Sequence, residues 1–427
     1  MEINNELKLL AEEFNKKGYP LYIVGGFVRD QLLNLKSTDI DLSSAMDIDT
    51  LQKICEKLKF KTTNINEKLG TILITGKENC YEYTRFRKES YSTNSHSPDF
   101  VEFIDDISLD ALRRDITINA LYYDILNNRV VDLVNGLKDL NKKIIRTPRA
   151  PHETLNDDGL RILRLMRFAI TYNFKFDKST YKTLIDKTPM LKGIKKERIL
   201  KELKMLVTAD IKFILGNKKL IKYINQTQMC KYLFNSTLSN IKNFKKSDTN
   251  KFYNLENDLR LYGFYMLVLK TFFKGYITPQ NLTFHINALL GTDGIKESNE
   301  TIKTIEKLYR IYQNIYYGID SINATINYLS LSNHEREVVK CYLNKKSKNA
   351  LFDNISYIES KKLPLGIHQL DITAEDLLNI GIKKTFISKI LSTLYNSVIE
   401  CKVKNKKKDL LLFAKNLDET FKEILNK

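Results

Sequence analysis

Tyr22-Ile23-Val24-Gly25-Gly26-Phe27-Val28-Arg29-Asp30, followed nine residues later by Asp39-Ile40-Asp41-Leu42, decides how the first part of this chain folds. The apolar run before the glycines reads as a buried strand over 21–25. Gly25-Gly26 then lets the backbone approach a ligand closely or take positive φ, and phosphate is the natural candidate for that ligand. Asp39 and Asp41 lie two apart in an alternating stretch, so on a strand both carboxylates project from one face. Like charges that close call for a cation. Mg2+, a hard ion that takes oxygen ligands and is often shared with substrate phosphates, fits them. Two such ions activate an attacking hydroxyl and stabilise a leaving pyrophosphate. Taken singly, each element is also common in solvated turns.

Outward from this stretch, Ile3, Leu7, Leu10, Ala11 and Phe14 mark a helix over 3–17 that Gly18-Tyr19-Pro20 closes. A short helix is expected near 26–34 and another over 49–58, with strands over 70–75 and 80–86 around Gly76, which makes the unit α/β. Glu82 falls in the second of these strands. There it either joins Asp39 and Asp41 as a third carboxylate or points outward. From Lys88 to Asp99 the sequence is polar and too long for a tight turn, and reads as a mobile loop. Beyond Thr147-Pro148-Arg149-Ala150-Pro151 nearly everything reads as helices separated by Asn- or Lys-rich loops, so the chain divides near 150.

A chain of 427 residues is expected to form two to four compact units. Its 43% hydrophobic content, with 23 Tyr and 21 Phe, excludes a largely disordered protein. The formal charge of +18 is uneven: residues 1–150 sum to −1 and the remainder to +19. That split suits a polyanion gripped by one part and processed by another, although a Lys- and Asn-rich composition with merely solvated lysines gives the same numbers. The scattered Cys55, Cys80, Cys230, Cys341 and Cys401 read as reduced thiols without metal-type spacing. No apolar run approaches a membrane-spanning length and no secretory segment opens the chain, so a cytoplasmic location without membrane contact is expected.

Two further stretches carry chemistry. Arg113-Arg114-Asp115 precedes an apolar stretch expected to be helical, and its guanidiniums suit either triphosphate oxygens or surface salt bridges. Asp158, Arg161, Arg164 and Arg167 recur every three residues in a helix expected to open at Asn156-Asp157-Asp158, forming a ridge along one side. This is either a capped helix with solvated arginines or a base-reading edge. In the second case Asp158 accepts from the amino group of cytosine or adenine, while Arg161 donates to the neighbouring ring nitrogen. Uracil and guanine reverse both roles, so such a pair admits CTP and ATP without a nucleic-acid template.

The order Gly-Gly-x-Val-Arg-Asp, Asp-x-Asp, Glu-x-Thr-x-x-Arg, Arg-Arg-Asp-x-Thr-x-Asn-Ala, Asp-x-x-x-Gly, Asp-Asp-x-Leu-Arg and Glu-Arg-x-x-x-Glu-Leu, running from about 20 to 206, resembles the class II tRNA nucleotidyltransferases. These are the CCA-adding enzymes, grouped with bacterial poly(A) polymerases. The resemblance implies an α/β nucleotidyltransferase head over 1–150, a polymerase-beta-like mixed sheet with helices. After it come all-α parts: a neck over 151–210 with the nucleotide-selecting helix, a body over 211–350 and a tail over 351–427 that binds tRNA. It also implies that Asp39 and Asp41 hold Mg2+ and that Glu82 is the third catalytic carboxylate. Gly25, Gly26, Arg29 and Arg114 would hold the triphosphate. Asp158 and Arg161 would select the base, with Arg164 and Arg167 near the nucleotide. The likeness fades beyond about 210 and returns from Leu370 to Val398, ahead of Lys402, Lys404, Lys406, Lys407 and Lys408, which suit either phosphate contacts or a solvated terminus.

Three positions depart from the family pattern. Asn94-Ser95-His96-Ser97-Pro98 stands where relatives often carry Asp-Gly-Arg-His-Pro, in a segment linked to the switch from CTP to ATP. Gly159 replaces a proline or alanine, at a cost in helix propensity, and Leu69 replaces a histidine. The expected activity is addition of C, C and A to the 3′ end of tRNA. A CC-adding enzyme, an A-adding enzyme and a poly(A) polymerase are the alternatives of the same class. A catalytically inactive RNA-binding protein, which would not need its carboxylates, is the alternative of another.

Overall fold

The computed structural model describes residues 1, 3–90, 100–209, 219–234, 244–256 and 258–425, with side chains described as far as Asp418. Two compact units result: Met1–Phe244 together with Asn287–Glu297, and Lys245–Ile286 together with Ser298–Lys427.

The first unit begins with helix α1 (Asn5–Lys16), whose N-cap Asn4 accepts from the Leu7 amide, a cap worth about 1 kcal/mol. Strand β1 (Tyr22–Val24), helix α2 (Gly26–Leu32), strand β2 (Ile40–Ser44) and helix α3 (Ile48–Lys57) follow. Next come strands β3 (Lys61–Asn66), β4 (Thr71–Thr75) and β5 (Cys80–Arg85). With β8 (Leu121–Asp124) and β9 (Arg129–Asp132), they make a seven-stranded sheet of order β3-β4-β5-β2-β1-β8-β9. Within it β2 and β5 run parallel, and the other pairs are antiparallel.

Alternation along β2 and β5 separates core from chemistry. Leu42, Tyr81 and Tyr83 are fully buried, and α1 covers their face: Phe14 meets the Tyr83 ring edge-on at 5.9 Å, and Asn4 donates to the Tyr81 hydroxyl at 2.9 Å. Asp41 and Glu82 therefore point to the opposite face.

Three local expectations are corrected. Lys88–Ser90 is not loop: strand β6 (Arg87–Ser90) pairs antiparallel with β7 (Phe100–Phe103), and Asn94-Ser95-His96-Ser97-Pro98 lies outside the described residues. The apolar stretch after Arg114 is not a helix but a 3-10 turn over Thr117–Asn119 followed by β8. All four residues of β8 are buried, so the alternation that marks a half-buried strand is missing there. Asp158 stands outside the helix it was expected to open. Helix α6 (Pro151–Asp157) ends before it, Asp158 is extended at φ −147°, and helix α7 begins only at Arg161 and runs to Thr171. Its carboxylate accepts from the Leu160 amide two residues on, the local bond by which Asp competes with helix.

Helix α4 (Ile107–Leu112) precedes the arginine pair, and α5 (Gly136–Lys142) follows β9. Helices α8 (Lys178–Lys187) and α9 (Lys196–Ala209) continue the unit, with α7 packed on α9. The second unit is helical. Part of its core is built from Leu370, Ile372, Leu377, Ile390, Leu394 and Leu410. Among the described residues no helix is long and apolar enough to cross a membrane.

Candidate active site

Gly25 takes φ +76°, a conformation that costs other residues, and donates its amide to Leu121 O on the neighbouring strand. The hydrogen that replaces its side chain faces Arg114 and Asp41. A Cβ there would stand 3.8 Å from Arg114 Nη1 and from Asp41 Oδ2. This turn opens into a cavity of about 600 Å³ whose wall includes Gly25, Gly26, Asp41, Arg114, Asp158 and Arg161.

Asp41 and Glu82 are direct partners across the parallel β2–β5 pair. Asp39 lies just before β2, is exposed, and stands close enough to bear on Asp41. The Asp41 side chain is open to the cavity, yet the protein around it strips enough hydration to push its carboxyl up to about 6. Glu82 adds to the rise, Arg114 opposes it and Asp39 adds again. Among the described residues no group of three His, Cys, Asp or Glu side chains converges to hold a metal. The concentrated charge around Asp41 and its all-oxygen donors nonetheless suit a hard divalent cation.

The arginines are held by buried carboxylates that sequence reasoning passed over. Asp110, on α4 and fully buried, accepts from Arg113 Nε at 2.8 Å and Arg114 Nη2 at 3.0 Å, and also from the Tyr122 hydroxyl. Burial alone would raise its carboxyl, but the two guanidiniums and the hydroxyl outweigh it and hold the group at about 2. Asp115 accepts from Arg164 Nε at 2.9 Å and Nη2 at 2.7 Å, and from the Asn119 amide at 3.1 Å. Burial is again outweighed, chiefly by Arg164, and its carboxyl also sits at about 2. The signal was present for both residues: each lies within four positions of the Arg113-Arg114 pair.

Arg29 lines the cavity beside Gly25 and Gly26, whereas Arg167 does not. The Arg29 guanidinium is buried, bonded to Asn119 and Asp30, and stacked 4.3 Å from the Tyr172 ring centroid. It borders the cavity but ties α2 to α7. Arg167 pairs with Glu202 on α9, lies over the Phe168 ring, and is not part of the cavity wall. Arg161 and Arg164 do line the cavity. Arg161 donates Nη1 to Thr154 O at 2.9 Å and to Asp157 Oδ2 at 3.4 Å, and Nη2 to Arg113 O at 2.7 Å, so its plane is fixed, and Nη2 carries a second N–H. Asp158 is held by Arg198, whose Nη2 donates to Oδ2 at 2.7 Å. Gly159 lies outside α7, so the expected cost in helix propensity does not arise. A Cβ there would meet Ile194 Cδ1 at 3.0 Å and Met190 Cβ at 3.2 Å.

Within the lysine run, Lys402 pairs with Glu400 and Lys407 with Asp376.

Comparison with known proteins agrees with this geometry. Residues 21–146 match the poly A polymerase head domain. The chain is 33% identical over 209 residues to the CCA-adding enzyme of Staphylococcus epidermidis, covering 49% of this chain and 51% of that protein. It spans about half the length of most of the curated relatives it matches. With the CCA-adding enzyme of Staphylococcus saprophyticus the likeness extends further, at 27% identity over 425 residues, 96% of this chain and 97% of the relative. In fold, the chain is similar to Thermotoga maritima CCA-adding enzyme complexed with tRNA-CCA. The TM-score is 0.67 at 19% identity, over 97% of this chain and 96% of that one. Residues 21–146 thus carry the likeness to a poly A polymerase head domain, and the chain is similar in sequence and fold to CCA-adding enzymes.

Proposed function

We propose that this protein adds C, C and A in turn to the 3′ end of tRNA, taking CMP and AMP from CTP and ATP and releasing pyrophosphate. The observation that supports the reading is the meeting, on one cavity, of Asp41 from the β2–β5 strand pair, the Gly25-Gly26 turn, Arg114, and Asp158 with Arg161. Phosphoryl transfer needs mainly positioning and charge stabilisation, and these groups supply both.

Asp39 and Asp41 would hold Mg2+, with Glu82 as the third carboxylate. Bound there, the ion supplies neutralising charge for the triphosphate and lowers the pKa of the attacking 3′ hydroxyl. Gly25 and Gly26 bring main chain to the phosphates without a side chain in the way. Arg114, aimed by Asp110, faces the same space and offsets charge on the triphosphate. Asp158 and Arg161 select cytosine and adenine by accepting from the amino group and donating to the ring nitrogen. Arg29, on the same wall, adds positive charge beside the triphosphate and Arg164 stands near the nucleotide, while Arg167 acts by tying α7 to α9. The excess of +19 beyond residue 150 suits the sugar–phosphate backbone of tRNA. On this reading residues 151–210 form the neck, and 211–350 and 351–427 the body and tail. The protein works in the cytoplasm.

A second reading, a CC-adding enzyme, is favoured by Asn94-Ser95-His96-Ser97-Pro98, which lacks an arginine and a carboxylate common in relatives. Extension of a tRNA transcript lacking its CCA end, with Mg2+ and CTP, ATP or both, separates the two at single-nucleotide resolution. A product ending in CCA supports the first reading. A halt at CC supports the second, and no extension refutes both.

A further inference from the structure

We propose that Arg198 is a positioning residue for nucleotide choice, acting by locking the Asp158 carboxylate in its base-reading orientation. The inference rests on the proposed function and concerns a residue outside the selecting helix.

Asp158 has no helix to hold it. It sits in the extended link between α6 and α7, where a side chain ordinarily samples several rotamers. Two bonds remove that freedom: the Leu160 amide donates to Oδ1 at 3.0 Å, and Arg198 Nη2 donates to Oδ2 at 2.7 Å. One oxygen is thus pinned from its own backbone and the other from the first turn of α9. Each oxygen has more than one acceptor direction, so both bonds can persist while the carboxylate accepts from a base amino group. Arg198 itself lines the cavity.

The pairing constrains both partners. A guanidinium at the cavity wall is a donor, and a donor facing the base would welcome the carbonyl of uracil or guanine, the wrong pattern. Committing Arg198 to Asp158 directs that donor onto the carboxylate and leaves an acceptor as the group presented to the base. Selectivity then depends on the pair as a unit. Gly159 belongs to the same arrangement: without a side chain, it lets Met190 and Ile194 lie close against the link, just ahead of α9, where Arg198 stands.

The test compares kcat/KM for CTP against UTP, and for ATP against GTP, in single-nucleotide extension of a tRNA transcript, for wild type, R198A, R198K, D158A and the double variant. R198A is expected to lower the preference for CTP over UTP roughly tenfold or more, and R198K to restore part of it. The double variant should be no less selective than the less selective of the two single variants, since the residues act as one unit. A merely structural role would lower rate with all four nucleotides and leave their ratios unchanged. If R198A fails to fold, R198K and R198Q carry the same comparison, with thermal midpoints recorded for each. An unchanged ratio in the Arg198 variants beside a relaxed D158A overturns the inference and leaves the proposed function standing. An unchanged ratio in D158A overturns the base-reading role of Asp158 and the inference with it, and no extension by the wild type refutes the proposed function itself.

Discussion

Replacing Asp110 by Asn should damage stability and nucleotide binding together, and the structure sets the size of the first effect. The carboxylate is fully buried and bonded to Arg113, Arg114 and Tyr122. Its folded value of about 2, against an ordinary 3.8, corresponds to about 2 kcal/mol of stability at pH 7. Because the folded value is the depressed one, this contribution is complete above the ordinary value. It is lost as pH falls from about 4 toward 2, with roughly half gone by pH 3. D110N removes the charge and strips Arg114 of that counterion, while Arg113 keeps Glu89 at 3.5 Å, so the total cost at pH 7 should reach about 3–5 kcal/mol. Urea unfolding followed by tyrosine fluorescence at pH 7, 4 and 3 measures it, and the gap between wild type and variant should narrow as pH falls. Arg114 loses its aim in the same variant, so KM should rise for CTP and ATP alike, since the triphosphate is common to both. A D110N protein that unfolds at the wild-type urea concentration from pH 4 to 7, with unchanged KM values, would refute the reasoning.

Other substitutions probe other parts of the site. D41N should abolish nucleotide transfer while leaving tRNA binding intact. Mg2+ at ten times its dissociation constant should stabilise the wild type by about 1.4 kcal/mol and D41N hardly at all, which thermal unfolding with and without the ion would show. G136A places a Cβ 2.4 Å from Thr117 O, a backbone atom that cannot swing aside. A loss of about 1–3 kcal/mol is expected, and a melting temperature equal to that of the wild type would contradict that contact.

Much of the head was legible in the sequence because its signals are local. The apolar run before Gly25-Gly26, the Asp39-Ile40-Asp41 alternation and the strand pair around Gly76 each fix an element without reference to the rest of the chain. The pairing of β2 with β5, which sets Asp41 beside Glu82, was legible only through resemblance, because 41 residues separate the two positions. The stretch after Arg114 misled for a physical reason: β8 is buried on both faces, and an apolar run without alternation has no period to read. The three-residue spacing of Asp158, Arg161, Arg164 and Arg167 suggested one ridge, but spacing reports only on residues inside a helix. Asp158 prefers its own backbone bond to the Leu160 amide, and Arg167 follows the buried Glu202 instead of the cavity. Arg198 could not be assigned to Asp158 from spacing, since it meets its partner through tertiary contact, whereas Asp110 stands three and four residues before Arg113 and Arg114 and was within reach of such a reading.

The strand that carries Glu82 also sets the limits on how this protein can change. Tyr81 and Tyr83 flank the carboxylate and face the other way. The Tyr83 hydroxyl donates to Met46 O at 2.6 Å, and the Tyr81 hydroxyl meets Asn4 at the opposite end of the ladder. Sliding β5 by one residue would turn Glu82 into the core and a tyrosine into the cavity, so the two aromatic anchors act as a ratchet tooth on either side of the reactive group. A mutation that loosens either tyrosine would look, in a melting curve, like ordinary damage to the hydrophobic interior, but it would reach the chemistry through a shift in register. Drift in this part of the sheet is therefore expected to be confined to its edge strand β3, since Met46 anchors Tyr83 and β4 pairs directly with β5.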